Sequence, residues 1–100
     1  MAKATIPKKK VMFELQSPEA REVLLAGDFT DWDKEPLPLK KGKDGTWHKQ
    51  VSLPCGLYEY RFIVDGQWVT DPKAQERHTN PFGTENAVVV VMAGGADAPQ

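Results

Sequence analysis

Apolar and polar residues alternate along the second half of the chain, most clearly in residues 57–65. The residues of one parity are aromatic or aliphatic: Tyr58, Tyr60, Phe62 and Val64. The residues between them include Glu59 and Arg61. Side chains of a β-strand point alternately to its two faces. The pattern therefore predicts a strand that buries its aromatic face and exposes its polar one.

A second alternating run covers residues 46–53. Trp47, Val51 and Leu53 share one parity, and polar residues occupy the other. Lys49 interrupts the apolar side. Because Trp47 lies in register with Val51 and Leu53, we expect its indole to belong to the core.

Shorter apolar runs predict further strands at residues 11–16, 22–27, 37–40, 68–69 and 87–92. Glycine, proline and aspartate separate the runs, and the pair Asp65 and Gly66 is typical of a two-residue hairpin turn. No segment longer than two turns has a helical period, and residues 19–22 or 73–77 are expected to form a helical turn at most. About seven short antiparallel strands bury their apolar faces most simply in a two-layer β-sandwich.

The chain has 100 residues, which is enough for one hydrophobic core and too few for two. We predict a single folded unit over residues 11–92. The stretches 1–10 and 93–100 carry little apolar surface and are expected to be flexible tails.

A formal net charge of -1 and an isoelectric point near 6.1 give no general attraction to nucleic acid or to anionic lipid. No apolar run approaches the roughly 20 residues that span a bilayer. The single cysteine, Cys55, has no partner for a disulfide within the chain, and residues 1–10 lack an apolar signal segment. We therefore expect a soluble, cytoplasmic protein that binds neither nucleic acid nor membrane.

Residue types that carry out catalysis occur without the partners they require. His48 falls on a polar strand face without a carboxylate at a matching spacing, and His78 falls in a predicted polar loop. Cys55 follows a proline at a turn and has no cationic cluster to activate its thiol. The alternating carboxylates in residues 28–33 lack the glycine and glutamate positions of an EF-hand loop. The sequence thus predicts no catalytic residue, no metal and no cofactor.

Two tryptophans fall in predicted turns, where a core does not require them. Trp32 lies within residues 29–33, and Trp68 follows the Asp-Gly turn. An exposed indole presents a flat, electron-rich face to the C–H groups of a glucose ring, and Arg or Asn side chains nearby hydrogen-bond its hydroxyls. An equally compatible alternative is that both indoles fold back onto the core with their N–H groups bonded to the backbone.

Four motifs follow one another along the chain: VLLAGDFTDWD at 23–33, GLYEYRFIVDGQW at 56–68, DP at 71–72 and NPFGTEN at 80–86. Their order resembles carbohydrate-binding module family 48. This family includes the glycogen-binding domain of the AMP-activated protein kinase beta subunit and the N-terminal domains of isoamylases and branching enzymes. The resemblance covers residues 11–91 and implies an all-β, immunoglobulin-like (early-set) β-sandwich.

The resemblance also implies six carbohydrate-binding residues: Trp32, Arg61, Trp68, Phe82, Thr84 and Asn86. The two tryptophans match the pair that stacks on the glucan, and Arg61 matches a lysine that contacts sugar hydroxyls. The last three match a Leu-Gly-Thr-x-Asn loop, whose apolar residue lies against the sugar ring and whose polar residues hydrogen-bond it.

Three departures from the family pattern are expected to affect the preference for glucan length. Thr30 and Asp31 replace the family's asparagine before the first tryptophan, which removes a hydrogen-bonding amide. Arg61 presents a planar fork in place of a lysine point charge. Phe82 adds apolar area at the leucine position but is stiffer.

We therefore expect non-catalytic binding of α-1,4-linked glucan, such as glycogen, starch or maltooligosaccharides, with modest affinity. The resemblance implies a glycogen-metabolising enzyme or a kinase as the protein partner. The alternative is a protein-interaction or regulatory scaffold domain that has lost sugar binding. A third hypothesis, a small hydrolase, lacks the paired carboxylates or nucleophile that hydrolysis needs.

Overall fold

The computed structural model describes residues 8–92, which form short antiparallel strands. The strands are β1 (Lys8–Gln16), β2 (Val23–Gly27), β3 (Leu37–Pro38), β4 (Lys40–Lys41), β5 (Thr46–Pro54), β6 (Gly56–Val64), β7 (Gln67–Val69), β8 (Glu76–Thr79) and β9 (Glu85–Val91). Two 3₁₀ turns, Asp28–Thr30 and Trp32–Lys34, connect β2 to β3. The all-β class predicted from the sequence is confirmed.

The strands form two sheets. The smaller sheet has the order β1-β5-β4, and the larger has the order β3-β2-β6-β9-β8. Strand β6 pairs with β2 along one edge. Along its other edge it pairs first with β9, from Gly56 to Tyr60, and then with β7, from Phe62 to Val64. Because successive side chains of a strand point to opposite faces, those of β6 point either toward the smaller sheet or away from it.

Apolar residues on the facing sides of the two sheets form one core. Its buried members are Phe13, Leu15, Ala20, Val23, Leu25, Leu39, Trp47, Leu53, Tyr60, Phe62, Ala87 and Val91. Phe13 packs edge-to-face on Tyr60 with ring centroids 5.0 Å apart, which joins β1 of the smaller sheet to β6 of the larger one. The fold is therefore the two-layer β-sandwich that the alternating pattern predicted.

Trp47 occupies the core position that its parity predicted. It is 7% exposed, and its Nε1–H group donates to the carbonyl oxygen of Ser17 at 2.9 Å. Leu53 on the same face is buried as well. Lys49, which interrupts the apolar pattern, lies opposite Phe13 in the β1–β5 register and is partly exposed.

The strand predicted at residues 37–40 is instead two short pairings in two different sheets. Leu37–Pro38 pairs with β2 in the larger sheet, and Lys40–Lys41 pairs with β5 in the smaller one. Leu39 between them is buried, and its N–H group donates to the carbonyl oxygen of Val23 at 2.9 Å. The chain crosses from one sheet to the other at this residue, so one apolar run serves both layers.

The first strand begins three residues earlier than predicted, at Lys8. Its backbone stays in register with β5 as far as Pro54, so the three lysines belong to the strand. The end of the predicted tail 1–10 is therefore part of the sheet. Residues 1–7 and the predicted tail 93–100 lie outside the described residues.

The pattern of apolar and polar residues does not predict β8. The strand is polar throughout and lies at the edge of its sheet, so it has no apolar alternation. No helical turn forms at residues 73–77, where the sequence indicated one at most. A tight turn forms there, in which the Ala74 N–H group donates to the Asp71 carbonyl oxygen at 3.2 Å, and the strand begins at Glu76. The described part of the chain contains no helix long and apolar enough to cross a membrane.

The hairpin between β6 and β7 has the predicted two-residue turn. Asp65 and Gly66 have φ angles of 48° and 86°, the left-handed conformations of a type I′ turn. The Asp65 carboxylate also accepts the backbone N–H groups of Arg21 and Glu22 at 2.9 and 2.8 Å. These bonds tie the hairpin to the start of β2 and hold β7 in place.

A buried hydrogen bond ties the segment after β7 to the core. The Tyr60 hydroxyl donates to Asp71 Oδ2 at 2.6 Å, and Asp71 is 7% exposed. The other Asp71 oxygen accepts the Lys73 N–H group at 2.9 Å. Burial, followed by the hydrogen bond to Asp71, raises the pKa of Tyr60 far above its usual value. Tyr60 therefore remains a hydrogen-bond donor at neutral pH.

We expect Tyr60→Phe to lower the free energy of unfolding by about 2 kcal/mol, because it leaves the Oδ2 atom of the buried Asp71 carboxylate without its donor. The matched control is Tyr58→Phe, which removes a hydroxyl that donates to the Pro54 carbonyl oxygen at 2.7 Å in a partly exposed position. This control should cost about 1 kcal/mol or less. Denaturant unfolding measures both values, and equal losses would contradict the special role of the Asp71 bond.

Candidate functional site

A groove lies on the outer face of the larger sheet, the face that points away from the core. Its volume is about 840 Å³. Eleven residues line it: Asp28, Trp32, Asp33, Glu59, Arg61, Trp68, Asn80, Pro81, Phe82, Thr84 and Asn86. All six residues implied by the family resemblance are among them. They are contributed by the turn after β2, by β6 and β7, and by the segment that leads into β9.

The turn after β2 places Phe29 inward and Trp32 in the groove. Phe29 is partly buried and stacks on Phe13 with ring centroids 5.5 Å apart. Gly27 permits this close approach, since a Cβ atom there would lie 2.6 Å from the carbonyl oxygen of Glu59. The turn therefore packs closely against β6, and Trp32, which follows Phe29 in the turn, remains at the surface.

The Thr30 hydroxyl closes this turn. Its Oγ1 accepts the Gly27 N–H group at 3.0 Å and lies 2.9 Å from the carbonyl oxygen of Trp32. Asp31 and Trp32 have φ angles of 58° and 57°, a conformation that costs free energy for residues with a side chain. Thr30 is buried, and its hydroxyl supplies the side-chain hydrogen bonds of the turn, where the resemblance implies an asparagine.

Trp32 and Trp68 lie side by side in the groove. Trp68 is on β7, opposite Ile63, and is 40% exposed, whereas Trp32 is partly buried. Their ring centroids are 6.4 Å apart, and the ring planes are inclined by 45°. Neither indole belongs to the core, so the alternative in which both fold back onto it is not the arrangement observed.

Arg61 lies between Trp68 and Thr84 on the same face of the sheet. Its guanidinium carbon is 5.8 Å from the centroid of the Trp68 ring, and its Nη1–H group donates to the Thr84 hydroxyl at 3.2 Å. Its Nε atom is buried and has no hydrogen-bond partner among residues 8–92. The side chain points away from the core residues Tyr60 and Phe62, as strand parity predicted.

Asn80 organises the loop between β8 and β9. Its Oδ1 accepts the backbone N–H groups of Phe82 and Thr84 at 3.0 and 3.1 Å. Its Nδ2 group donates to the Thr84 hydroxyl at 2.8 Å and to Asn86 Oδ1 at 3.0 Å. Gly83 completes the turn with a φ angle of 84°. One amide thereby holds the base of a loop whose tip carries Phe82, which is 88% exposed.

A chain of hydrogen bonds continues from Asn86 to the edge of the sheet. Asn86 Nδ2 donates to Glu59 Oε1 at 2.9 Å, and Glu59 Oε2 lies 3.0 Å from His78 Nδ1. His78 Nε2 lies 3.4 Å from a Glu76 oxygen. Hydrogen bonds from Asn86 and then from His78 lower the pKa of Glu59. The bond with Glu59, ahead of that with Glu76, raises the pKa of His78.

His78 is thus placed differently from what the sequence indicated. It lies on β8 and not in a loop, and two carboxylates are within reach of its ring. The two carboxylates belong to Glu59 on β6 and Glu76 on β8, and β8 has no apolar alternation by which the sequence could reveal it. The pairing was therefore invisible in the one-dimensional pattern.

Five residues that line the groove were not predicted from the sequence: Asp28, Asp33, Glu59, Asn80 and Pro81. Two of them carried a usable signal. Glu59 shares the parity of Arg61 and therefore lies on the same face of β6. An Asn-Pro pair marks a turn, and the Asn80 amide can hydrogen-bond the backbone two residues on. The two aspartates had no such signal, because their orientation depends on how Phe29 packs.

The groove carries three carboxylates, from Asp28, Asp33 and Glu59, and one guanidinium, from Arg61. Asp28 Oδ2 accepts the Glu59 backbone N–H group at 2.8 Å. Within residues 8–92, no group of three or more His, Cys, Asp or Glu side chains is placed to hold a metal ion. A neutral ligand rich in hydroxyl groups suits this surface better than an anionic one.

Residues 10–96 match the family described as the glycogen recognition site of AMP-activated protein kinase. The chain belongs to this family. Its members are carbohydrate-binding modules, which are non-catalytic domains. The resemblance seen in the order of the motifs is therefore confirmed.

Curated relatives of this glycogen-recognition domain are longer proteins. The beta-1 subunit of 5'-AMP-activated protein kinase from Sus scrofa is 38% identical over 71 residues, which are 71% of this chain and 55% of the relative. The 1,4-alpha-glucan branching enzyme GlgB from Lactobacillus acidophilus is 40% identical over 85 residues, which are 80% of this chain and 13% of the enzyme. Protein PTST homolog 2, chloroplastic, from Arabidopsis thaliana is 45% identical over 53 residues, which are 53% of this chain and 10% of the relative.

Solved structures of two larger proteins contain the same fold. The pullulanase from Bacillus acidopullulyticus superimposes with a TM-score of 0.66 at 26% identity, over 86% of this chain and 11% of the pullulanase. The maltogenic amylase from S. marinus superimposes with a TM-score of 0.67 at 24% identity, over 95% of this chain and 16% of the amylase. These likenesses confirm the predicted immunoglobulin-like β-sandwich.

We expect Thr30→Val to lower the free energy of unfolding by about 1 to 3 kcal/mol, because the buried Gly27 N–H group loses its acceptor while the side-chain shape is kept. The Nε1–H NMR signal of Trp32 should also shift as the turn loosens. Thr70→Val is the matched control, since its hydroxyl donates to the Glu85 carbonyl oxygen at 2.7 Å in an exposed position. The control should cost less than about 1 kcal/mol, and an unchanged Trp32 signal in the Thr30 variant would contradict the assigned role.

Proposed function

We propose that the chain binds α-1,4-linked glucan, without catalysis, in the groove that contains Trp32 and Trp68. The observation that carries the proposal is the pair of indoles 6.4 Å apart and inclined by 45°. An indole face packs well on the C–H groups of a glucose ring. The α-1,4 linkage curls a glucan, so successive rings are inclined to one another. Two inclined platforms complement that curve better than one flat surface would.

Polar groups beside the indoles are available for sugar hydroxyls. A guanidinium has five N–H donors, and Arg61 donates one of them to Thr84. An amide has two donors and can accept twice, and Asn86 uses one donor on Glu59 and one acceptor on Asn80. We assign Arg61 and Asn86 as hydroxyl partners and Thr84 as a donor or acceptor of the loop.

Phe82 is assigned as an apolar wall for the ligand. A phenylalanine that is 88% exposed is unusual for its residue type. Covering it with a sugar ring removes apolar surface from water. Since phenylalanine is broader and stiffer than the family's leucine, we expect the sugar to pack against it and not to be threaded by it.

Glycogen is the glucan that the family description names. We extend the proposal to starch and maltooligosaccharides because they share the α-1,4 linkage, and a relative is named as a 1,4-alpha-glucan enzyme. We propose a glycogen-metabolising enzyme or a kinase as the protein partner, since relatives of these classes contain a similar segment. We also propose a cytoplasmic location, which suits the exposed, unbridged Cys55, although one relative is chloroplastic.

A second candidate function is protein binding through an apolar strip outside the groove. Leu57 and Val90 lie directly opposite each other in the β6–β9 register, and each is 51% exposed. Met92, just beyond β9, is 57% exposed. Exposed apolar side chains that lie together are typical of interaction surfaces. A scaffold domain that had lost sugar binding would use this strip and not the groove.

Alanine substitutions separate the two functions. We expect Trp32→Ala and Trp68→Ala each to weaken the binding of β-cyclodextrin or maltoheptaose about tenfold or more, because each removes a stacking platform. The double variant should lose retention on glycogen. Leu57→Ala is the matched control, because it removes an exposed apolar side chain outside the groove. Calorimetric titration measures the affinities, and circular dichroism checks the fold. Full glucan binding by a folded double variant would refute the proposal.

Affinity for neutral glucan should be nearly independent of salt. Screening acts on pairs of charges, and a neutral sugar brings none. We expect the dissociation constant to change less than about twofold between about 50 mM and about 500 mM sodium chloride. A steep loss of affinity with salt would show that ionic contacts dominate, which is incompatible with stacking as the main interaction.

A further inference from the structure

His78 lies between two carboxylates on the sheet face that carries the groove. Its Nδ1 is 3.0 Å from Glu59 Oε2 on β6, and its Nε2 is 3.4 Å from Glu76 Oε2 on β8. The His78 side chain is 43% exposed and that of Glu59 is 29% exposed. Glu59 lines the groove and His78 does not. The His78 ring therefore contacts the groove only indirectly, through Glu59.

The number of protons on the imidazole decides which of these contacts attract. A neutral imidazole has one N–H donor and one acceptor nitrogen, whereas an imidazolium has two donors. An ionised carboxylate accepts and cannot donate. Both contacts of His78 are hydrogen bonds when the ring is protonated. When the ring is neutral, one of its nitrogens is an acceptor. The contact of that nitrogen with a carboxylate oxygen is then no longer a hydrogen bond.

Glu59 connects this difference to the groove. Its Oε1 accepts Asn86 Nδ2 at 2.9 Å, and its backbone N–H group donates to Asp28 at 2.8 Å. Asn86 is 7% exposed, and its Oδ1 accepts from Asn80 at 3.0 Å. The main chain of Glu59 is held in β6, so the direction of its carboxylate is what His78 can change. A turn of that carboxylate alters how the Asn86 amide is oriented.

We propose that His78 is a positioning residue for glucan binding, whose protonated ring holds the Glu59 carboxylate so that Asn86 presents its amide to the sugar. The inference rests on the proposed function, because it gives the Asn86 assignment a supporting residue. His78 acts through Glu59 and does not touch the ligand. Glucan affinity therefore depends on pH, although the sugar and its stacking partners do not titrate.

The direction of the pH dependence follows from the charges around the ring. Glu59 faces His78 from β6 and Glu76 from its own strand, while Asn86, opposite on β9, is uncharged. Arg61 shares the face of Glu59 but contacts Thr84. The carboxylates raise the pKa of His78. The protonated form of His78 thus persists at pH values above about 6.5, the ordinary pKa of a histidine. Binding is full below that value and weakens as pH rises through the raised pKa.

The first experiment measures the dissociation constant for β-cyclodextrin between about pH 5.5 and about pH 8.5, the range in which a histidine titrates. We expect the unmodified chain to lose about two- to fivefold in affinity across this range, the size expected for a partly exposed ion pair. His78→Gln has no titrating group at this position, so its affinity should stay constant across the range. His48→Gln is the matched control, because this second histidine lies on β5 in the other sheet, and its profile should match the parent.

Glu76→Gln distinguishes positioning from a general loss of structure. Without the second carboxylate, a neutral ring can carry its one proton on Nδ1 and still hold Glu59. We therefore expect this variant to keep tight binding at about pH 8.5, where the parent has weakened. Loss of a purely structural ion pair would instead weaken binding at every pH, and that result would overturn the inference.

Ligand-free NMR separates this inference from the proposed function. The side-chain amide signals of Asn86 should shift as His78 titrates in the parent chain and should not follow pH in His78→Gln. Parent binding that ignores pH, a His78→Gln profile equal to that of the parent, or Asn86 signals that stay constant would each overturn the role of His78. Absence of glucan binding at every pH would instead refute the proposed function, and with it the inference.

Discussion

Backbone pairing along both edges of β6 is the interaction on which the binding face depends. With β2 on one edge and β9 followed by β7 on the other, alternate side chains have two directions available. Tyr60 and Phe62 take the inner direction because their burial removes a large apolar area from water. Glu59 and Arg61 are then directed outward. A slip of one residue would bury two charged groups, so the same free energy that forms the core specifies the base of the groove.

The walls of the groove depend on polar side chains that complete turns. Thr30 accepts the Gly27 N–H group at the end of β2, and Asn80 accepts two backbone N–H groups of the loop between β8 and β9. Backbone donors in buried or half-buried turns need such partners. The left-handed backbone of Trp32 is kept in place by Thr30. Because the turns are ordered before a ligand arrives, little conformational freedom remains to be lost on binding.

Much of this architecture could be predicted because its apolar residues follow a simple period. The aromatic parity of β6 and the position of Trp47 both appear in the sequence as alternation. Strand β8 does not, since an edge strand with two wet faces has no apolar side to reveal it. The order of the motifs brought six groove residues together. Three features depend on contacts between distant segments, which no local pattern encodes. They are the inclination of the indoles, the hydrogen bonds made by the Asn80 side chain, and the pairing of His78 with Glu59.

The edge of β6 changes partner at Arg61, in the middle of the groove. Tyr60 still pairs with β9, whereas Phe62 already pairs with β7. The two strands are therefore attached to β6 independently, and residues 70–84, which include β8, join them. Asp71 and Asn80 of this segment are bonded to Tyr60 and Asn86, so only its exposed tip at residues 81–83 can change in length without moving the rest of the groove. A change confined to this loop tip alters the width of the groove while the sandwich and the groove residues on β6, β7 and β9 stay in place.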